Sequence, residues 1–138
     1  MKAITLFSLL VALLFLSLIA DSNASTTACG TLKDTIDDAR AKLKQASFET
    51  DFDAARNHAR SAKNALHQAA SGAIDCRCDE AFMEFDTAAA RARRARDVDD
   101  PREFVEYLNQ VTRSFNSAIE ALNSCAVSVD RNTARAPR

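Results

Sequence analysis

Four stretches of the chain carry apolar residues spaced alternately three and four apart, the pattern of helices that bury one face. Short breaks separate these stretches, and the whole chain has two glycines and two prolines. A β-sheet protein needs turn residues at regular intervals, so their scarcity favours long helices with few connections. We therefore predict an all-α fold, an up-down-up-down four-helix bundle.

The four predicted buried stripes differ in bulk. Alanine dominates the second stripe, so a neighbouring helix can approach closely but little apolar area is buried per residue. This alanine stripe also leaves a helix-mediated homodimer open. In chain order the stripes are Leu32, Ile36, Ala39, Leu43 and Ala46; Phe52, Ala55, Ala59, Ala62, Leu66, Ala69 and Ala73; Cys78, Phe82, Phe85, Ala89 and Ala92, widened by Ala81, Ala88 and Ala95; and Phe104, Leu108, Val111, Phe115, Ala118, Leu122 and Cys125, widened by Val105 and Ile119.

Residues that favour helix ends mark the breaks. The third helix is predicted over Asp79–Asp97. Gly72 has two interpretations: it ends the second helix and Asp75 caps the third, or it is a packing residue in a helix that runs to Ile74. The predicted N-caps are Thr31 for the first helix, Thr50 or Ser47 for the second, and Asp100, followed by Pro101 and Glu103, for the fourth.

The N-terminal segment predicts export. Lys2 precedes the apolar run Ala3–Ala20, and Ser22 and Ala24 have the small side chains that a signal peptidase recognises. A membrane anchor is the competing interpretation of a run this long. We predict a signal peptide over residues 1–24, a bundle over 25–126 and a flexible basic tail over 127–138. The cleaved protein would be periplasmic or secreted, with no membrane association.

Export predicts that the four cysteines form disulfides, because the compartments outside the cytoplasm are oxidising. In an up-down-up-down bundle, Cys29, Cys76, Cys78 and Cys125 all fall at one end. Cys76 and Cys78 point to opposite flanks of a helix, which disfavours a bond between them. The preferred pairing is Cys29–Cys76 with Cys78–Cys125, and the alternative is Cys29–Cys78 with Cys76–Cys125.

Metal and cofactor binding find little support in the sequence. The common spacing of a structural zinc site is absent, because one residue separates Cys76 from Cys78. His58 and His67 lie nine residues apart and therefore on different sides of one helix. We predict no metal site and no cofactor.

Catalysis is also disfavoured. The chain lacks G-x-S-x-G, H-E-x-x-H, P-loop and C-x-x-C-H motifs. Arginines cluster in the second half of the third helix, where they complement the helix dipole, and no glycine-rich loop or interleaved aromatics accompany them. With a formal net charge of −1, the chain also lacks the overall basic character of many nucleic-acid-binding proteins. We predict neither a catalytic residue nor a nucleic-acid partner.

In the predicted bundle, seven acidic residues fall at the end opposite the cysteines, and we call this set the acidic pole. Two interpretations are open. The acids simply cap helix N-termini and complement the helix dipole, or they attract a basic protein partner or a divalent cation. They are Glu49, Asp51, Asp53, Asp97, Asp99, Asp100 and Glu103.

These features favour a protein that works by binding. In architecture the chain resembles the exported, disulfide-linked helical inhibitors of plant invertase and pectin methylesterase, but it lacks their short-range N-terminal cysteine pair. We expect an interaction, inhibitor or immunity-type module with a protein partner, and a periplasmic ligand-binding, metal-binding or stress protein is the alternative.

Overall fold

The structure is a computed structural model that describes the backbone of residues 21–134 and the side chains of residues 30–125. Four helices follow one another: α1 (Asp21–Phe48), α2 (Phe52–Asp75), α3 (Asp79–Asp97) and α4 (Pro101–Ala134). The described part of the chain contains no strand. The predicted all-α class is therefore confirmed, whereas the predicted signal peptide falls mainly on residues outside the described ones.

Consecutive helices pack against each other in opposite directions. The start of α2 contacts the end of α3 where Arg56 donates to the carbonyl of Arg96, and His67 meets Asp86 farther along the same pair. In α3 and α4, Cys78 pairs with Cys125, and Arg91 donates to the hydroxyl of Ser114. These contacts fix the antiparallel register of both pairs.

The predicted stripes form the core. The five predicted residues of α1 are buried, as are the stripe alanines of α2 and α3. Because the alanine stripe of α2 is buried inside the chain, it offers no surface to a second copy, which removes the sequence-based reason for a homodimer. The prediction for Val105 was wrong. Val105 was predicted to widen the buried stripe of α4, yet it is 55% exposed.

Alanine and bulky side chains space the helices differently. Each consecutive pair of helices packs closely, whereas α1 and α4 make much sparser contact along the edge that would close the bundle. Leucine and phenylalanine side chains line this edge, and they hold the two backbones farther apart than alanine would. The α1–α4 edge is therefore the most open side of the described structure.

Several predicted helix ends were wrong. Thr31 is not an N-cap, because α1 begins ten residues earlier at Asp21 and the carbonyl of Thr31 accepts from the hydroxyl of Thr35 inside the helix. The N-cap of α2 is Asp51 rather than Thr50 or Ser47. A carboxylate at that position accepts the free N–H groups of the first turn.

The end of α2 decides between the two interpretations of Gly72. The helix continues to Asp75, so Gly72 is a packing residue and Asp75 does not cap α3. A β-carbon at Gly72 would lie 3.0 Å from Cδ1 of Leu32 on α1, which explains a small residue there. The N-cap position of α3 is held by Cys78, without a side-chain hydrogen bond.

The predicted start of α4 is confirmed, and its predicted end is not. The carbonyl of Asp100 accepts from the amide of Phe104, and its carboxylate accepts from the amide of Arg102. Helix α4 then runs to Ala134, beyond the predicted boundary at residue 126.

Candidate functional site

A disulfide joins the start of α3 to Cys125 in the C-terminal half of α4. Cys78 and Cys125 are bonded, with their Cα atoms 5.8 Å apart and a sequence separation of 47 residues. This agrees with the preferred pairing, and the alternative Cys76–Cys125 is wrong. Cys76 is also disulfide-bonded. Its predicted partner, Cys29, has a side chain outside the described residues.

The turn between the two central cysteines is a helix-ending motif. The amide of Cys78 donates to the carbonyl of Ala73, and the amide of Arg77 donates to that of Ile74. These two bonds define a Schellman motif, in which the residue after the C-cap adopts a left-handed conformation. Arg77 occupies that position with a φ of 59°, where glycine is the usual residue. The motif separates the two sulfurs and leaves each to pair elsewhere.

The acidic pole is assembled around an arginine. The guanidinium of Arg56 lies 3.4 Å from the carboxylate of Asp99 and 3.9 Å from that of Asp53. It also lies over the ring of Phe52, 5.6 Å from the centroid. Arg56 thereby links Asp53, in the first turn of α2, with Asp99, in the α3–α4 connection.

Several of these acids have structural roles. Asp51 accepts from the amide of Ala54 at 2.7 Å, and Glu49 accepts from the amide of Asp51 at 3.1 Å. Asp100 accepts from the amide of Arg102 at 2.7 Å. Among the described residues, no three His, Cys, Asp or Glu side chains are arranged to hold a metal ion. Helix capping therefore accounts for part of the acidic pole.

Two exposed carboxylates titrate below their ordinary range. A hydrogen bond from the Arg96 guanidinium, at 2.6 Å, lowers the pKa of Asp97. A hydrogen bond from the Lys33 ammonium lowers the pKa of Asp37 in the same way. Both carboxylates are half exposed, so solvent weakens both pairs.

The two histidines face different helices. His58 lies 3.9 Å from the carboxylate of Glu49, beside the end of α1. His67 lies 3.7 Å from that of Asp86 on α3. Their placement on different sides of α2 agrees with the predicted geometry.

The open edge of the molecule carries a groove that sequence reasoning missed. Two adjoining cavities of about 390 and 290 Å³ lie between the end of α1 and the start of α4, and Ser47 lines both. We call them together the α1–α4 groove. Apolar side chains form most of its floor: Leu43, Ala46, Phe52, Ala55, Phe104, Leu108 and Phe115.

The rim of the α1–α4 groove is partly apolar and partly charged. Phe48 is 76% exposed and Val105 is 55% exposed, and both line the groove. Arg40 and Lys44 lie toward one end, where the Arg40 guanidinium sits 5.7 Å from the ring centroid of Phe115. Glu49, which belongs to the acidic pole, lies at the other end. The sequence contained one sign of this groove: Phe48 is a bulky apolar residue that falls outside the predicted buried stripe of α1.

Comparison with known protein families, with curated proteins and with solved structures finds no match for this chain. Among the described residues, every helix is too short or too polar to cross a membrane.

Proposed function

We propose that this chain is an exported protein-binding module that uses the α1–α4 groove to hold its partner. The observation that carries the proposal is the exposed phenyl group of Phe48 beside a groove with an apolar floor. Exposed apolar surface next to a concave apolar floor is typical of protein-interaction sites. The predicted signal peptide over residues 1–24 supports export to the periplasm or the exterior.

The groove has the composition of an interface centre. Aromatic and aliphatic anchors contribute most of the binding energy of protein complexes, and polar groups at the rim contribute less. Phe52, Phe104 and Leu108 supply such anchors in the floor, whereas Asn109 and Asn116 supply neutral hydrogen-bonding groups at the rim. Filling the groove with partner side chains would remove this apolar surface from water.

The acidic pole extends the groove at one end and favours a partner that presents basic residues there. Asp99 is 94% exposed, and Asp53 is 88% exposed. Charges this exposed mainly raise the rate of encounter and select among partners, and they add little to affinity. The disulfide at the opposite end joins the start of α3 to α4.

Affinity capture with three matched forms of the oxidised protein tests this proposal. We expect the wild type to retain a specific protein from extracts of the producing cells. F48E should lose that protein because it places a charge in the apolar contact. M83E should retain it, because Met83 is similarly exposed, at 65%, but lies on α3 outside the groove. Equal retention by F48E and the wild type would contradict the proposal.

A further inference from the structure

The two long walls of the α1–α4 groove are helices, and this limits the kind of segment that can fill it. In both helices the main-chain N–H and C=O groups are bonded along the helix, so few of them face the groove. An extended peptide laid on the apolar floor would lose the water around its own amides and carbonyls without gaining main-chain partners. A helix bonds its own main chain and avoids this cost. The groove therefore favours a helical occupant.

The length and spacing of the groove residues also suit a helix. Along α4, groove-lining residues recur three or four apart at Pro101, Phe104, Leu108, Thr112 and Phe115. At a rise of 1.5 Å per residue this stretch is about 21 Å long, the length of about four helical turns. Side chains spaced in this way form ridges, and the side chains of a second helix pack between them. The surface thus has the form of a site for an amphipathic helix.

The two rims of the smaller cavity differ in charge, which fixes where the occupant carries acidic residues. Lys44 on the α1 rim is exposed and makes no ion pair within the described part of the chain. Arg40, one turn earlier, already pairs with Asp37 at 3.0 Å. The facing α4 rim carries the neutral side chains of Thr112 and Asn116. A carboxylate of the occupant is therefore best placed beside Lys44, on the side that faces α1.

The other end of the groove has the opposite sign. Glu49 lines the larger cavity there, and its carboxylate already accepts from the amide of Asp51 and lies 3.9 Å from His58. A second carboxylate at this end would face that charge without a free cation beside it. Acidic residues of the occupant are therefore confined to the end that lies beside Lys44.

We propose that the occupant of the α1–α4 groove is an amphipathic α-helix of a partner protein, with acidic residues only at the end beside Lys44. The proposal rests on the groove being a protein-binding surface, as proposed above, and it specifies the segment that binds. The apolar face of this helix covers the floor at Phe104 and Leu108 and contacts the exposed ring of Phe48.

Selection from a phage-displayed library of random peptides of about 16 residues tests the proposal without an assumed partner. The oxidised wild type is the bait, and F48E is the matched bait that identifies binding outside the groove. We expect the enriched peptides to carry apolar residues three or four apart, no internal proline, and acidic residues at one end only. Enrichment of proline-rich or alternating apolar patterns, or no enrichment over F48E, would overturn the proposal.

Fluorescence anisotropy of one selected peptide then tests the helix and the charge separately. Proline at the centre of the peptide should weaken binding about tenfold or more. K44E should weaken it about threefold, M83E should leave it unchanged, and a peptide with lysine in place of its acidic residues should regain affinity for K44E. A peptide that tolerates the proline, or an affinity that K44E leaves unchanged, would overturn the proposal.

The helical occupant and the proposed function fail in different ways. Phe48-dependent capture of a native protein, with no helical pattern among the selected peptides, would overturn the helical occupant and leave the proposed function standing. Selected helices that need Phe48, with no native protein retained by the wild type, would contradict the proposed function and leave only the preference of the groove for a helix.

Discussion

Arg56 and Arg96 are forty residues apart, yet Nε of Arg56 donates a 2.8 Å hydrogen bond to the main-chain carbonyl of Arg96. That carbonyl belongs to the last turn of α3, where no amide of the helix is available to it. The same guanidinium contacts the carboxylate of Asp99 and the ring of Phe52. The side chain of Arg56, at the start of α2, thus donates to an otherwise free carbonyl at the end of α3 and contacts two carboxylates of the acidic pole, Asp53 and Asp99.

Replacing Arg56 with methionine should lower the free energy of unfolding by about 1–2 kcal/mol, because the Arg96 carbonyl loses a charged donor. Urea denaturation measures the change. R60M is the matched control, since Arg60 is exposed one turn along α2. Equal effects of R56M and R60M would show that the hydrogen bond contributes nothing specific.

Removing the disulfide by the C78S/C125S double substitution should cost about 2–4 kcal/mol, because the bond closes a long loop and restricts the unfolded chain. Thermal unfolding with and without reductant measures the loss. Reductant should then lower the melting temperature of the double variant less than that of the wild type. Peptide mapping without reductant should recover Cys78 linked to Cys125.

The contact between Gly72 and Leu32 predicts coupled substitutions. Alanine at Gly72 gains about 1 kcal/mol of helix propensity, but its β-carbon would crowd Cδ1 of Leu32. G72A should therefore be more favourable in an L32A background than in the wild type. A double-mutant cycle by urea denaturation measures this coupling, and strict additivity would contradict the crowding.

Arg77 holds a left-handed conformation that costs a residue with a β-carbon about 1–2 kcal/mol. R77G should raise the free energy of unfolding by a large part of that amount. R77A removes the same charge and keeps the β-carbon, so it should give no comparable gain. The difference between the two variants in urea denaturation isolates the backbone contribution.

Asp97 should titrate below its ordinary pKa of 3.8, because Arg96 donates to the carboxylate. A lowered pKa in the folded state means that this interaction stabilises the protein above the unfolded pKa and is lost as the pH falls through the folded value. An NMR titration of the Asp97 carboxyl carbon should show the shift, and R96M should reverse it. An unchanged titration in R96M would exclude Arg96 as the cause.

Periodicity in the sequence was enough to predict most of the fold. The stripe of α1 and the stripe alanines of α2 and α3 are buried as predicted, because one face of each helix must avoid water whatever its neighbours are. The start of α4 was equally predictable, since Asp100 and Pro101 suit a helix start locally. Cys78 pairs with Cys125 and not with Cys76, as predicted, but the reason is the turn at Arg77 between two helices rather than opposite flanks of one helix.

Features that depend on spacing between helices were not predictable in this way. Val105 lies next to the stripe of α4, and its exposure results from the wide gap between α1 and α4. The groove arises because alanine stripes draw consecutive helices together while bulky side chains keep α1 and α4 apart. The local sequence pattern determines which face of each helix avoids water. The distance between two helix faces depends on every side chain packed between them, and the α1–α4 groove depends on that distance.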